Sequence, residues 1–295
     1  MMRNRKISIE EFTSYQFFSL ALPYYNGCSL NYLEQIADFE CSKLLQNKDI
    51  FCDPEGSSLV RAQLERNFYK HFTDSTLLKS NIYDFIRIIE DITNIAELII
   101  PANAKNTDEI YSFINHTTQN TNLYYVIDYW GLDPSLLSPN VIIFSSIELL
   151  YGIEGINLAW IFCADNKLLE KIKLRLRLIG PSCASLSEVY ALIILRNHRL
   201  IYSQNQKILN DNKAYAEEIH KKNKWLDMEI SDIYPWATIT IHKRDQFIKY
   251  ASKYPGILVL PLDSSEDKLI VHIGKRRFLS EFSILVESIY NFFLQ

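Results

Sequence analysis

The sequence holds little glycine, eight of 295 residues. Loops that cradle phosphate groups use glycine to bring backbone N–H groups close to the ligand, so a glycine-poor chain offers few places for them. It contains no G-x-G-x-x-G and no Walker loop, and neither the G-x-S-x-G of serine hydrolases nor the H-E-x-x-H of zinc proteases. The motifs of dinucleotide binding, P-loop nucleotide hydrolysis and these two hydrolytic reactions are therefore absent.

Cysteine and histidine are also sparse. The five cysteines are odd in number, are widely spaced and form no C-x-x-C, and the six histidines are scattered. This pattern favours neither a disulfide framework nor a metal site, and it fits a reducing compartment. We therefore predict a cytoplasmic protein without a bound metal.

The charge balance and the apolar runs exclude two kinds of partner. The formal net charge is −4, the sequence pI is about 5.9, and Lys and Arg are scattered rather than clustered in stripes. Such a chain has no electrostatic footprint for nucleic acid. No apolar run is long enough to span a bilayer, and Glu10 and Glu11 interrupt the basic start before a short apolar stretch. We predict neither nucleic-acid nor membrane partners, and no signal peptide.

Apolar runs that alternate with amphipathic stretches predict an α/β fold with a mainly parallel sheet, followed by a small α+β domain at the C-terminus. The strands expected in the first part are 96–100, 123–127, 141–144 and 158–163, and those in the second are 237–242, 257–260 and 269–273. The expected helices are 53–72, 82–92, 108–118, 166–178, 186–198, 202–222, 245–253 and 277–293. We divide the chain into an N-terminal arm with part of the small domain (1–52), a shortened large domain of the cofactor-binding type (53–200), and a long connecting helix with the C-terminal small α+β domain (201–295).

One segment has the frame of a cofactor site. Residues 146–159 read S-I-E-L-L-Y-G-I-E-G-I-N-L-A. This resembles the S-x-S-K-x-x-G-x-x-G-x-R-x-G segment of the class I/II, fold-type I aminotransferases that use pyridoxal phosphate (PLP), in particular histidinol-phosphate aminotransferase-like members. In that family the Lys forms the Schiff base with PLP and the Arg holds its phosphate. With the glycines in register, Leu149 stands at the Lys position, Asn157 at the Arg position, Glu148 at the second Ser and Ala159 at the last Gly.

Other motifs follow the order of the same family. Asn103, in P-A-N-A-K-N, matches the Asn that hydrogen-bonds the ring hydroxyl of PLP, and Asp128 matches the Asp that pairs with the pyridinium nitrogen. Gly131 replaces a family Tyr, and Ile270 replaces the Arg that clamps the substrate carboxylate. The resemblance implies the PLP-dependent transferase fold, with a vestigial cofactor site of Asp128, Asn103, Ser146 and Asn157.

The large domain is short in this resemblance. Between Gly56 and Asn103 the chain has far fewer residues than the family, so we expect the glycine-rich phosphate turn, its following helix and the ring-stacking aromatic residue to be deleted. PLP chemistry needs a primary amine, and leucine has none. Because the amine, the phosphate cation and the carboxylate cation are lost together, the sequence predicts an aminotransferase-like pseudoenzyme that acts as a binding or partner subunit.

Alternatives remain open at this point. The chain could be a PLP-binding enzyme of amino-acid metabolism with a relocated catalytic residue, or an enzyme of unrelated chemistry that uses Asp128 and Glu148. Asp128 itself is either a ligand-binding carboxylate at a strand end or a cap for the next turn. The family assembles its active site at a dimer interface, so the resemblance implies a homodimer or a heterodimer with an active homologue, and a small amino-acid-like ligand.

Overall fold

The structure, a computed structural model, describes residues 30–37, 53–72, 74–93, 96–99, 104–119, 122–153, 156–179, 183–251, 260–261, 267–274 and 278–294. The chain forms two compact units. The described residues up to Gln206, together with Asp232–Tyr234, belong to the larger unit. The smaller unit contains Lys207–Ser231 and the described residues from Pro235 onward. The three-part division expected from the sequence, with an arm at 1–52, stays a prediction.

The larger unit alternates helices with strands. In chain order its elements are α1 (Leu30–Ala37), α2 (Ser58–Phe68), β1 (Thr76–Lys79), α3 (Ile82–Thr93), β2 (Ala96–Ile99), α4 (Thr107–Thr117), β3 (Leu123–Ile127), β4 (Val141–Ser146), α5 (Ile147–Tyr151), β5 (Ala159–Phe162), α6 (Asn166–Ile179), α7 (Ser185–Arg196) and the start of α8 (His198–Lys222). Asparagine side chains cap two of these helices: Asn81 Oδ1 accepts the N–H of Asp84, and Asn106 Oδ1 accepts that of Glu109. These caps satisfy N–H groups in the first turns of α3 and α4.

The five strands of this unit form one mixed sheet in the order β1-β5-β4-β3-β2. Strands β2, β3 and β4 pair in parallel, whereas β5 runs antiparallel to both of its neighbours, β4 and β1. The expectation of a mainly parallel sheet is therefore corrected to a mixed one. The reason lies in the connection between β4 and β5, where the five-residue helix α5 and the left-handed Gly152 reverse the chain instead of carrying it across the sheet.

Both faces of this sheet are covered, which explains its nearly continuous apolar strands. On one face Leu77, Phe144 and Ile161 pack among side chains of α3 and α6. On the other face Val126, Ile143 and Trp160 pack among side chains of α2, α4 and α7. The alternation along each strand places successive residues in different cores, so the sheet is the middle layer of three.

Strand β1 was not expected from the sequence. It contains only four residues, T-L-L-K, and all four are buried. A run this short that ends in lysine carries little strand signal. With β1 and α3 in place, the segment between Gly56 and Asn103 does contain a strand followed by a helix. Whether this segment is shortened relative to the aminotransferase family stays a prediction.

The smaller unit contains a four-stranded antiparallel sheet in the order β6-β7-β9-β8. Its elements are the end of α8, β6 (Met228–Ile230), β7 (Trp236–Thr240), α9 (Arg244–Ala251), β8 (Leu260–Pro261), β9 (Lys268–His272) and α10 (Phe278–Phe293). The predicted small α+β domain is thus present, and β6 is a strand that the sequence did not predict. Most of the expected strand 257–260 lies outside the described residues. In the described part of the chain, no helix is long and apolar enough to cross a membrane.

Candidate functional site at the carboxyl edge of the large sheet

The topology gathers four strand ends at one edge of the large sheet. Because β5 is antiparallel to both β1 and β4, the strands β1, β2, β3 and β4 all run in the same direction. Their carboxyl ends therefore lie along the same edge, where α/β sheets bind ligands. Lys79 ends β1, Asp128 directly follows β3, and Ser146 ends β4.

Asp128 is buried at this edge, with 1% of its surface exposed. Its Oδ1 accepts hydrogen bonds from the backbone N–H groups of Trp130 and Gly131 at 2.8 and 2.9 Å, and its Oδ2 accepts one from Leu132 at 2.9 Å. Burial raises the pKa of the Asp128 carboxyl from 3.8 to about 6, although these three N–H groups act to lower it. Both carboxylate oxygens therefore hold the loop that follows β3.

The two aromatic residues after Asp128, Tyr129 and Trp130, pack within the protein. The Trp130 indole N–H donates to the carbonyl oxygen of Ile233 at 3.1 Å. The rings of Tyr129 and Trp130 both lie against Tyr234, with centroid distances of 5.7 and 5.2 Å. In this structure both aromatic residues are thus engaged within the larger unit.

Gly131, at the position of a family Tyr, is required by the backbone. Its φ is +76°, a conformation that side chains with a Cβ rarely adopt. A Cβ built there would lie 3.0 Å from Cε1 of Phe68. The loop that Asp128 holds therefore depends on a glycine at this position.

The cofactor-like segment (residues 146–159) begins with the short helix α5, directly after β4. Ser146 is the N-cap of α5, and its Oγ accepts the N–H of Leu149 at 3.0 Å. Leu149 is half-buried, and Asn157, at the phosphate-Arg position, is exposed. The segment ends at Gly152, which is left-handed with φ 59°. Ser146 thus caps the segment's own helix, while Asn157 faces solvent.

Tyr151, within the same segment, is completely buried. Its hydroxyl lies 2.9 Å from Nδ1 of His198, and its carbonyl oxygen accepts the Asn205 amide N–H. The His198 ring packs edge-on against Phe68, with the centroids 4.9 Å apart. Nothing in the sequence indicated the hydrogen bond between Tyr151 and His198, which are 47 positions apart.

Aromatic residues also line the sheet face beside Asp128. The Trp160 indole N–H donates to the Tyr69 hydroxyl at 2.9 Å, and both side chains are buried. Burial first, and the Asp128 charge second, raise the pKa of the Tyr69 hydroxyl and that of the Tyr202 hydroxyl. These tyrosines are therefore neutral at physiological pH.

Lys79 is a buried residue that the sequence did not reveal. It is 3% exposed, and burial lowers the pKa of its ammonium group while Asp84, in the first turn of α3, raises it. Its strand, β1, lies three strand spacings from β3, about 14 Å. Across the strands, Lys79 aligns with Ala159 and Ser146 in one row of paired residues. Asp128 aligns with Ser145, in the adjacent row. Adjacent rows face opposite sides of the sheet, so Lys79 and Asp128 do not converge.

The sequence also named Asn103 and Ile270. Asn103 lies outside the described residues. Ile270, at the substrate-Arg position, is a half-buried residue of β9 that pairs with Thr238 and Leu260 in the smaller unit. Within the described residues, no group of three or more His, Cys, Asp or Glu side chains could hold a metal ion.

The described residues that the sequence resemblance aligns with the cofactor site do not fit PLP. Leu149 supplies no amine, and the Asp128 carboxylate already accepts three backbone N–H groups, which leaves about one of its four lone-pair positions. Asn157 offers the phosphate no charge. The polar and aromatic side chains described at this edge instead contact other residues of the protein.

No protein-family model matches the sequence, and no curated protein matches it in sequence. Solved structures do match. A PLP-dependent aminotransferase from Streptococcus suis superposes with a TM-score of 0.77 at 11% identity, covering 99% of each chain. Cystalysin from Treponema denticola, which contains a pyridoxal 5'-phosphate cofactor, gives a TM-score of 0.74 at 10% identity, covering 99% of this chain and 98% of that one. YbdL from Escherichia coli, with an identified methionine aminotransferase function, gives 0.66 at 11% identity, covering 95% and 98%.

These structural matches identify the fold of the chain. The chain has the fold of the PLP-dependent aminotransferase structures, as its motif order led us to expect. At such low identity the likeness extends to the fold and not to a reaction.

Proposed function

We propose that this chain is a non-catalytic protein of the aminotransferase fold that acts as a binding or partner subunit. One observation carries the proposal. At the sheet edge where this fold would bind its cofactor, the Asp128 carboxylate is committed to three backbone N–H groups of its own loop. By the sequence resemblance, Leu149 stands at the position of the Schiff-base lysine, in the segment that begins at Ser146. A carboxylate used in this way serves the fold rather than a ligand.

The packing around Asp128 supports the same proposal. Tyr151 and Trp160 are completely buried and hydrogen-bonded to His198 and Tyr69. Breaking these contacts to admit a cofactor would leave buried polar atoms without partners, which costs about 1–3 kcal/mol for each atom. Neither Asp128, at 1% exposed, nor the half-buried Glu148 offers an open acid–base site for unrelated chemistry.

The proposed partner is a second subunit of the same fold, either another copy of this chain or an active homologue. The resemblance motivates this proposal, because that family builds its active site from two subunits. A subunit without its own chemistry could contribute residues to its partner's site. Light scattering on the purified chain is expected to give a dimer mass, or a monomer that becomes a heterodimer when the active homologue is added. A stable monomer in both experiments would contradict it.

Lys79 favours a second candidate function, that of a PLP-binding enzyme with a relocated catalytic amine. It is a buried lysine at the carboxyl edge with a lowered pKa, as expected for a Schiff-base amine. Its strand spacing and sheet face separate it from Asp128, so it could not act together with that carboxylate.

Reduction of a PLP adduct distinguishes the two functions. The purified chain is incubated with PLP, absorption in the aldimine region is recorded, and borohydride reduction is followed by mass mapping. Our proposal predicts no saturable aldimine band and only scattered low-level labelling of exposed lysines. Lys171, which is exposed on α6, is the reference for such labelling.

The variants Lys79→Met and Lys171→Met complete the experiment. Both are expected to leave the PLP spectrum unchanged. A stoichiometric adduct on Lys79 that Lys79→Met abolishes and Lys171→Met retains would overturn the non-catalytic proposal in favour of the enzyme.

A further inference from the structure

The larger unit contains an open cavity of about 1200 Å³ between the end of α2 and the junction of α7 with α8. Four cationic side chains line it: Arg66, Lys70, Arg196 and Arg199. All four are exposed, and Glu65 supplies the one carboxylate among the described lining residues. In a chain of net charge −4, this is a local concentration of positive charge.

These cations are not neutralised by neighbouring carboxylates. Among the described residues, none of the four forms a salt bridge. The carboxylate of Glu65 accepts the Thr76 hydroxyl at 3.1 Å instead, and its pKa is raised by burial and, more weakly, by Asp74. The cavity therefore has a clear excess of positive charge at neutral pH.

Helix dipoles account for only part of this pattern. Arg66 and Arg196 lie in the last turns of α2 and α7, where a cation offsets the free carbonyl groups. Arg199 is placed the opposite way, in the first turn of α8, where a carboxylate would be favoured and no acidic residue is present. Its charge there acts against the helix dipole, and an anion in the cavity would compensate for it.

The walls of the cavity are held in place. The Asn67 side-chain amide donates to the carbonyl oxygen of Leu195 at 2.7 Å, which joins α2 to α7. The Phe68 ring packs against His198, a lining residue at the start of α8, and that residue is hydrogen-bonded to Tyr151. Arg66, Arg196 and Arg199 therefore lie on helices that these contacts join, so little backbone rearrangement is needed when a ligand binds.

From this arrangement we propose that the cavity binds a small organic anion with two or more phosphate groups, of the kind found in nucleoside diphosphates and sugar bisphosphates. Guanidinium groups recognise phosphate oxygens through paired, charge-assisted hydrogen bonds. The volume is large enough for a metabolite rather than a single ion. The printed lining includes none of Lys79, Asp128 and Ser146, and the proposal does not depend on whether the chain binds PLP.

Calorimetric titration of the full chain with inorganic pyrophosphate tests this proposal, at low and at physiological salt. Saturable binding with one site per chain is expected, weaker at the higher salt. Arg199→Gln is expected to weaken the affinity roughly tenfold, the effect of losing one charge-assisted hydrogen-bonding group. The matched control is Arg175→Gln, which removes an equal charge from the exposed face of α6 and is expected to leave the affinity unchanged.

Glu65→Gln is expected to change the affinity for pyrophosphate in the opposite direction. Removing the carboxylate that lines the cavity should strengthen pyrophosphate binding a few-fold, whereas damage to the walls would weaken it. ADP and fructose 1,6-bisphosphate, titrated in the same way, distinguish the two sources of the phosphate group. If ADP or fructose 1,6-bisphosphate binds more tightly than pyrophosphate, that compound represents the class of ligand.

Three results would overturn the proposal. The first is the absence of saturable pyrophosphate heat at low salt. The second is an equal loss of affinity in Arg175→Gln and Arg199→Gln, which would mean attraction to net charge alone. The third is binding of a single-stranded oligonucleotide that is much tighter than pyrophosphate binding and equally sensitive to Arg199→Gln, which would make the cavity part of a nucleic-acid surface.

Discussion

The hydroxyl of Tyr151 lies 2.9 Å from Nδ1 of His198, which links the cofactor-like segment to the start of α8. Burial, and secondarily Arg199, lower the pKa of His198, so its ring is neutral and accepts or donates at Nδ1 according to its tautomer. Tyr151→Phe keeps the ring and loses the hydrogen bond, so the free energy of unfolding in urea should fall by about 1 kcal/mol. Tyr124→Phe is the control, since the Tyr124 hydroxyl has no hydrogen bond to a described residue, and we expect a change within about 0.5 kcal/mol.

The hydrogen bond between Tyr69 and Trp160 should be measurable by a double-mutant cycle. Tyr69→Phe leaves the buried Trp160 N–H without its acceptor, and Trp160→Phe leaves the Tyr69 hydroxyl without that donor. Each single change is expected to be destabilising, by about 1–3 kcal/mol for the unpaired group and, in Trp160→Phe, by lost packing as well. In Tyr69→Phe/Trp160→Phe the total loss should be smaller than the sum. Additive losses would mean that the two groups do not interact in solution.

Asp128 should give the stability of the larger unit a particular pH dependence. Its folded pKa of about 6 lies above the ordinary value of 3.8, so between these values the folded state keeps a proton that the unfolded chain has released. The stabilising contribution is therefore fully present below about pH 4 and is lost as the pH rises through 6, amounting to roughly 2–3 kcal/mol. Asp128→Asn cannot titrate at this position, so wild type should lose stability relative to this variant between pH 4 and 7. A difference that stays constant, or changes in the opposite direction, would contradict the raised pKa.

Gly131 allows a test of the loop that Asp128 holds. Gly131→Ala forces a Cβ into a backbone with φ +76° and places it 3.0 Å from Phe68. We expect a loss of about 1–2 kcal/mol from the backbone conformation, with a further loss from the contact. In a Phe68→Leu background the same change should cost less, because the ring is gone. An equal cost in both backgrounds would assign the whole effect to the backbone.

Much of the fold could be predicted from the sequence, because its signals are local. The amphipathic stretches 82–92 and 108–118 predicted α3 and α4. The apolar runs 123–127 and 141–144 predicted β3 and most of β4. Asp128 was placed correctly at a strand end for the same reason: a polar residue that ends a buried run marks the edge of the sheet.

The remaining features depend on contacts between residues far apart in sequence. Tyr69 and Trp160 are separated by 91 positions, and no local pattern joins them. The direction of β5 depends on how α5 and Gly152 turn the chain, which the glycine spacing alone does not fix. Lys79 was missed because β1 is too short to show a period. The sequence also could not decide between the two functions of Asp128, since a cap and a ligand-binding carboxylate both occur at strand ends.

The central claim is that Asp128 serves the fold and does not bind a cofactor. The most direct test is the melting temperature of wild type and of Asp128→Asn at increasing PLP concentrations. A ligand that binds the folded state must raise the melting temperature in a saturable way. Our account predicts no saturable rise for either protein, only a constant offset between them. A saturable rise in wild type that Asp128→Asn abolishes would contradict it and would restore Asp128 as the cofactor's partner.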